Sequence, residues 1–292
     1  MRDQSLHPSG VHIRAEGPWP FITRRAYASA GRHFVWLARQ GRKGLDPAAR
    51  APGAPPVWQS PAYNWSVGAI FALGSFLFML GSVMSLVPAG AWQPSALWTN
   101  VVFFLGSIPF TIAGYLQNFQ AANAGAFTIG ADPAGPRRLA LIGWHPSSVG
   151  WLSTFTQFLG TVAFNFNTFD SIRAPDAWYQ QDIAIWVPDM VGSLLFLISG
   201  YLAFMEAGHR YWSWRPRDLS WRIVFINLLG CIAFMTAAIL AYVPRGAEPS
   251  WIDTVSTIHL LAGATCFFIA AILSMRESLG NGGNPSQRSA EK

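Results

Sequence analysis

The sequence predicts an all-α integral membrane protein: six transmembrane helices in three tandem hairpins, with both termini cytoplasmic. Three observations carry this. Apolar residues make up 51% of the 292 and charged residues only 12%, about half the charged share of a soluble domain. Six apolar segments recur along the chain: Ser66–Pro88, Trp98–Gln120, Ser147–Thr168, Ile185–Glu206, Trp221–Val243 and Asp253–Met275. Each has the roughly 20 residues that cross a hydrocarbon core of ~30 Å, and a spanning segment must satisfy its backbone internally, as a helix does. Finally, Gly-small-x-x-Phe occurs once in each segment, at Gly74, Gly106, Gly160, Gly192, Gly230 and Gly263.

The spacing of that motif gives the hairpins. Gly and Phe number 27 and 21 among 292 residues, and Gly-x-x-x-Phe occurs eight times, where chance placement gives about two. Within successive pairs the glycines stand 32, 32 and 33 residues apart. Leu105–Phe110 with Gly114-Tyr115-Leu116 returns as Val191–Phe196 with Gly200-Tyr201-Leu202, 86 residues on, and Trp65 and Trp151 share that offset. The hairpins are then 66–120, 147–206 and 221–275. Small residues let helices approach closely, and the phenylalanine fills the neighbouring groove. A compositional bias of membrane segments toward Gly and Phe is the plainer explanation.

Taken in order, residues 1–65 form a basic segment inside the cell. Residues 1–20 read as disordered. In Phe21–Lys43, Arg25, Arg32 and Arg39 recur every seven residues opposite Ile22, Ala26, Ala30, Phe34 and Leu37. That pattern predicts a helix lying in the membrane surface, cations toward anionic headgroups; a basic tail that only enforces topology is the alternative. Leu45–Pro61 is a Pro/Ala/Gly-rich linker. Pro109 falls mid-helix and predicts a kink. Ala121–His145 is an inner connection, and Ser171–Ala184 the longest outer one. The inner loop Gly208–Ser220 carries Arg210 and Arg215 among Trp and Tyr, an interfacial belt or a lipid-headgroup pocket. The tail 279–292 reads as disordered.

Charge sets orientation. Of 20 Lys and Arg, 18 lie before the first segment, in the 2–3 and 4–5 connections or in the C-terminal tail; only Arg173 and Arg245 lie on the other side. Positive residues stay in the cytoplasm, which points to a bacterial-type plasma membrane and makes the net charge of +6 no argument for nucleic acid. Cys231 and Cys266 fall mid-membrane without ligand spacing and read as buried thiols.

Intramembrane polar residues ask for a role. Asp189, His259, Asn165 and Asn167 share the outer half, and an Asp189–His259 pair could bind a proton, an ion or a headgroup; wetting at the outer interface is the alternative. His145 and His209 lie at inner helix ends, where matched depth would suit haem ligation, with no other support for it. No catalytic fingerprint, metal set or cofactor motif occurs.

Each pair of spans opening on a Leu/Val-Gly-Ser-x-x-Phe turn resembles the YrhK-like two-helix membrane domain, best over Ala69–Gln120 and Met190–Tyr242. Thr161, Cys231 and Ala264 depart from its Ser. The resemblance implies a membrane location and supplies no catalytic residue. Three functions follow as expectations: a small-solute or ion conductor with an outer-half site; a structural or partner-binding membrane subunit; and a haem or quinone redox protein. Protein partners are not legible.

Overall fold

The computed structural model describes residues 2–4, 12–29, 32–45, 55–88, 90, 92–125, 127, 139–243 and 249–280. Six long helices form its body: α2 (Pro61–Leu86), α3 (Ala96–Ala122), α4 (Val149–Asp170), α6 (Val187–Gly208), α7 (Leu219–Leu240) and α8 (Ser250–Gly280). Four of them start on a side-chain cap. Ser60, Ser95, Ser148 and Asp218 accept from the amides of Tyr63, Trp98, Trp151 and Ser220, satisfying donors that the first turn leaves unpaired. Pro61 opens α2, where its missing N–H costs nothing.

Trp178–Ala184, assigned from sequence to a loop, is helical. A short α5 (Trp178–Gln181) and a π-helical turn (Asp182–Trp186) run without a break into α6. Pro188 sits in the first turn of α6 and cannot donate its backbone bond. Pro109 lies inside α3, whose helical assignment continues through it.

The six long helices close into a ring. Its neighbours run α2, α3, α4, α6, α7, α8 and back to α2. Each sequence hairpin is an adjacent pair. Inside each pair the two motif glycines face one another. A Cβ on Gly74 would lie 2.8 Å from the Phe110 ring, and one on Gly106 2.9 Å from Phe78. Gly160 and Gly192 stand in the same relation to Phe196 and Phe164, and Gly230 and Gly263 to Phe267 and Phe234. All six motif phenylalanines then meet on the ring axis as one aromatic cluster. Phe78 packs on Phe110 and Phe234, Phe110 on Phe196 and Phe267, and Phe164 on Phe196 and Phe234.

Five of the six are long and apolar enough to cross a membrane: α2, α3, α7, α8 and the continuous helix through α6. Their outer faces expose Leu73, Phe76, Val83, Leu105, Ile112, Leu194, Ile232 and Ile239. Trp92, Trp98 and Trp251 are exposed at one end of the ring, and Trp144, Trp212 and Trp214 at the other, as in a membrane protein with aromatic belts. The helix outside that set is α4. Its polar residues point at its neighbours. Ser153 and Ser199 exchange hydroxyl-to-carbonyl bonds at 3.0 and 2.7 Å, Asn165 donates to Thr111 at 2.8 Å, and Thr168 donates to Ser107 at 3.1 Å.

The expected surface helix over 21–43 is corrected. Residues Arg24–Ser29 (β3) and Arg32–Leu37 (β4) form an antiparallel hairpin, which continues the sheet of β1 (Arg2–Gln4) and β2 (Ile13–Glu16) in the order β1-β2-β3-β4. Strands also replace the disorder expected before residue 20, and the all-α description holds only for the ring. The seven-residue recurrence of Arg concealed a strand pattern carried by Tyr27, Phe34, Val35 and Trp36. Tyr27 and Phe34 pair across the strands at 5.4 Å, and Arg25 lies over Trp36 and Phe127. Only Ala38–Lys43 is helical (α1), ending on Gly44 at φ 65.

Candidate functional site: a plugged axial cavity

The site begins with α1. Its six residues carry Arg39, Arg42 and Lys43, and it hangs from the sheet by the Ala38 amide on the Thr23 carbonyl. The short helix inserts its cations into one mouth of the ring. Arg39 and Lys43 are buried, and so are Glu277 of α8, which receives both, and Glu206 of α6, which receives Arg42. Arg39 donates to one oxygen of Glu277 and to Ser220 at 2.9 Å, and Lys43 donates to the other at 2.7 Å. Arg42 donates to Glu206 at 2.7 Å. Asn64 donates to the Lys43 carbonyl at 2.8 Å and accepts from Gln120 at 3.0 Å.

The residues around the plug fall at two repeated offsets. Gln120, Glu206 and Glu277 each stand fourteen residues beyond the second motif glycine of their hairpin, Gly106, Gly192 and Gly263. Their partners Asn64, Gly150 and Ser220 each stand ten before the first, Gly74, Gly160 and Gly230. Asn64, Glu206, Ser220 and Glu277 bond α1 directly, Gly150 packs against it, and Gln120 reaches it through Asn64. Gly150 makes room: a Cβ there would meet the Glu206 carboxylate and lie 2.8 Å from Arg42 Nε.

Electrostatics hold α1 in place. Burial works against the Arg39 charge, but Glu277 outweighs it and keeps the guanidinium above its ordinary range. Burial also pulls the Lys43 ammonium down, to about 8, against the pull of Glu277; it still carries its charge at neutral pH. Outside the mouth, His209 caps α6 in a left-handed conformation and bonds Thr23, just before β3, at 3.0 Å. Burial and the Arg215 and Arg24 charges push it down to about 4.

Behind the plug lies a cavity of 110 Å³, room for a few waters or one small solute. Arg39, Arg42, Lys43 and Glu206 line its mouth, and Phe110, Phe196 and Phe267 reach it from the aromatic cluster. Between them lie the amides Gln117, Gln157 and Asn227 and the hydroxyls of Ser153, Thr154 and Ser199. Among the described residues, Asn227 makes only a long contact to Cys231 at 3.8 Å. Polar side chains turned toward an apolar ring's axis can bind a polar solute or hydrate a path.

The four residues expected to share an outer-half site are not brought together. Asn165 bonds α3 through Thr111, and Asn167 bonds the Ile185 carbonyl at 2.9 Å. His259 bonds its own helix at the Val255 carbonyl, 2.8 Å away. Asp189 is half-buried in the first turn of α6, and α7 stands between α6 and α8 in the ring. A neighbouring helix takes the Asn165 amide N–H, and backbone carbonyls take the Asn167 amide and the His259 ring. His145 bonds the Ala122 carbonyl at 3.1 Å, and His209 turns to the sheet. Of the cations assigned to lipid headgroups, Arg39 is the clear correction, because it is buried against Glu277. Arg25 stacks on Trp36 and Phe127, while Arg210 and Arg215 are exposed beside the sheet. The Arg32 side chain and residues 281–292 lie outside the described residues.

Sequence reasoning missed Glu277 and gave Glu206 no role. The available signal was charge matching: two carboxylates near inner helix ends, and three cations within five residues of the N-terminal segment. No family model matches the chain, and comparison with curated proteins and with solved structures returned no match.

Proposed function

We propose that the chain is a six-span protein of a bacterial-type plasma membrane, and that its ring axis is a pathway for a small polar solute or ion. On this reading α4 is the sixth span. Its 22 residues reach about 33 Å, and its polar groups face neighbours rather than lipid. Both termini are cytoplasmic, supported by the 18-to-2 distribution of Lys and Arg. The matching offsets of glycine, phenylalanine and plug receptor support three copies of one two-helix unit of the YrhK-like kind, related about an axis along the membrane normal.

The observation that carries the function is the cavity on the axis. Buried amides and hydroxyls cost free energy unless paired, and a purely structural bundle would fill that space with apolar side chains. The pathway is shut at two levels, by α1 at the inner mouth and by the phenylalanine cluster beyond it. Flux through proteoliposomes tests this. The variant Arg39→Glu/Lys43→Glu sets like charges against Glu277 and should release the plug. Combined with Phe110→Ala and Phe196→Ala, it should raise small-solute leakage well above that of wild type at equal incorporation. Equal leakage would leave a packing role only.

A further inference from the structure

The buried charges around the axial cavity do not balance. Arg39, Arg42 and Lys43 bring three positive charges into the mouth, and Glu206 and Glu277 return two negative ones. Asp218, which also acts on Arg39, is exposed and caps α7. Three helices begin and three end at this face, so their dipoles offset one another. One positive charge is left over in a region of low dielectric, where an uncompensated ion is strongly disfavoured.

The hydrogen-bond capacity points the same way. Arg42 spends one N–H on Glu206, and its Nε is buried without a partner. Lys43 donates to Glu277 and Ser274 and has a third proton to give. Below them Gln117, Gln157 and Asn227 line the same space, and each side-chain amide has two protons to give. Both carboxylates at the mouth are already engaged, and the excess charge repels a cation.

We infer that the axial cavity binds a small monovalent anion of halide size between the Arg42–Lys43 end of the plug and the amides of Gln117, Gln157 and Asn227. The anion supplies the missing charge and fits 110 Å³. The site names what would enter the pathway proposed above and rests on that reading. It also gives the cations of α1 two roles, holding the anion and pairing with Glu206 and Glu277.

Bromide tests the site on the full chain in detergent at pH 7. Melting is followed while sodium bromide replaces sodium gluconate at constant ionic strength; gluconate's six-carbon chain is too bulky for the cavity. Wild type should show a saturable rise, on the order of 3 °C at tenfold the dissociation constant. Arg42→Gln balances the charges and should abolish the rise. Glu206→Gln lowers the melting temperature itself but increases the excess charge, so its bromide response should persist or grow. A merely structural Arg42–Glu206 pair would make both variants lose the response together. Asn227→Leu leaves the plug intact and should raise the half-saturating bromide at least tenfold. An equal rise in gluconate, an undiminished response in Arg42→Gln, or a response that follows the cation instead would overturn the site. Bromide binding without flux would sink the pathway and keep the site; cation flux without bromide binding would do the reverse.

Discussion

Gly150 is where the plug depends on an absent side chain. Its Cα lies against the Glu206 carboxylate and the Arg42 guanidinium, so a methyl group there must push the ion pair apart. Gly150→Ala should therefore destabilise the protein by about 1–3 kcal/mol, the range for overpacking, read as a lower melting temperature. The same substitution at exposed Gly280, which has open space around it, should leave melting unchanged. His209 gives a pH counterpart. Its folded value near 4 lies below its ordinary 6.5. Between those values the unfolded chain takes up a proton that the folded chain refuses, so stability falls as pH drops from 6.5 toward 4. Hydrogen-exchange protection factors of the β2 and β3 amides, taken relative to the intrinsic rate at each pH, should fall as pH drops across that window in wild type and not in His209→Gln. At this scale the sequence was partly legible. The motif glycines were visible because sequence spacing marks a helix contact. Gly150 was not, because its neighbours Arg42 and Glu206 are distant in sequence.

At the scale of the element, α1 is held by ions rather than by apolar area. Glu277 receives two cations, and all three groups are buried. Removing that carboxylate leaves two buried positive charges facing each other, a loss of about 3–5 kcal/mol. Glu277→Gln should free α1, so that trypsin cleaves after Arg42 or Lys43 far faster than in wild type while the ring stays folded. Unchanged cleavage would mean that the sheet alone retains the segment. Gly106→Leu and Gly192→Leu act on the ring instead. Each should lower stability in detergent more than Leu at lipid-facing Phe76, because each forces two helices apart. The helices were legible from hydropathy, which reports lipid exposure directly. The sheet was not: Arg25, Arg32 and Arg39 suit a basic surface helix, and strand pairing is decided by contacts such as Tyr27 with Phe34 that no local period displays.

For the whole molecule, the number of helices that cross the membrane decides the topology. Closure of the ring through α4 argues for six; hydropathy alone selects five. The two counts differ in parity and so put the C-terminus on opposite sides. Ring order was beyond the sequence, which gave hairpins but not which hairpin meets which. The axial site was hidden for the same reason, since Gln117, Gln157 and Asn227 come from three different helices. Paired reporter fusions after Lys43 and after Gly280, each active on one side of the membrane only, decide the count. Six spans predict that both fusions report cytoplasm, with a third fusion near Asp176 on the outside. A C-terminal fusion active outside, with the N-terminal one inside, would exclude α4 as a span and contradict the account.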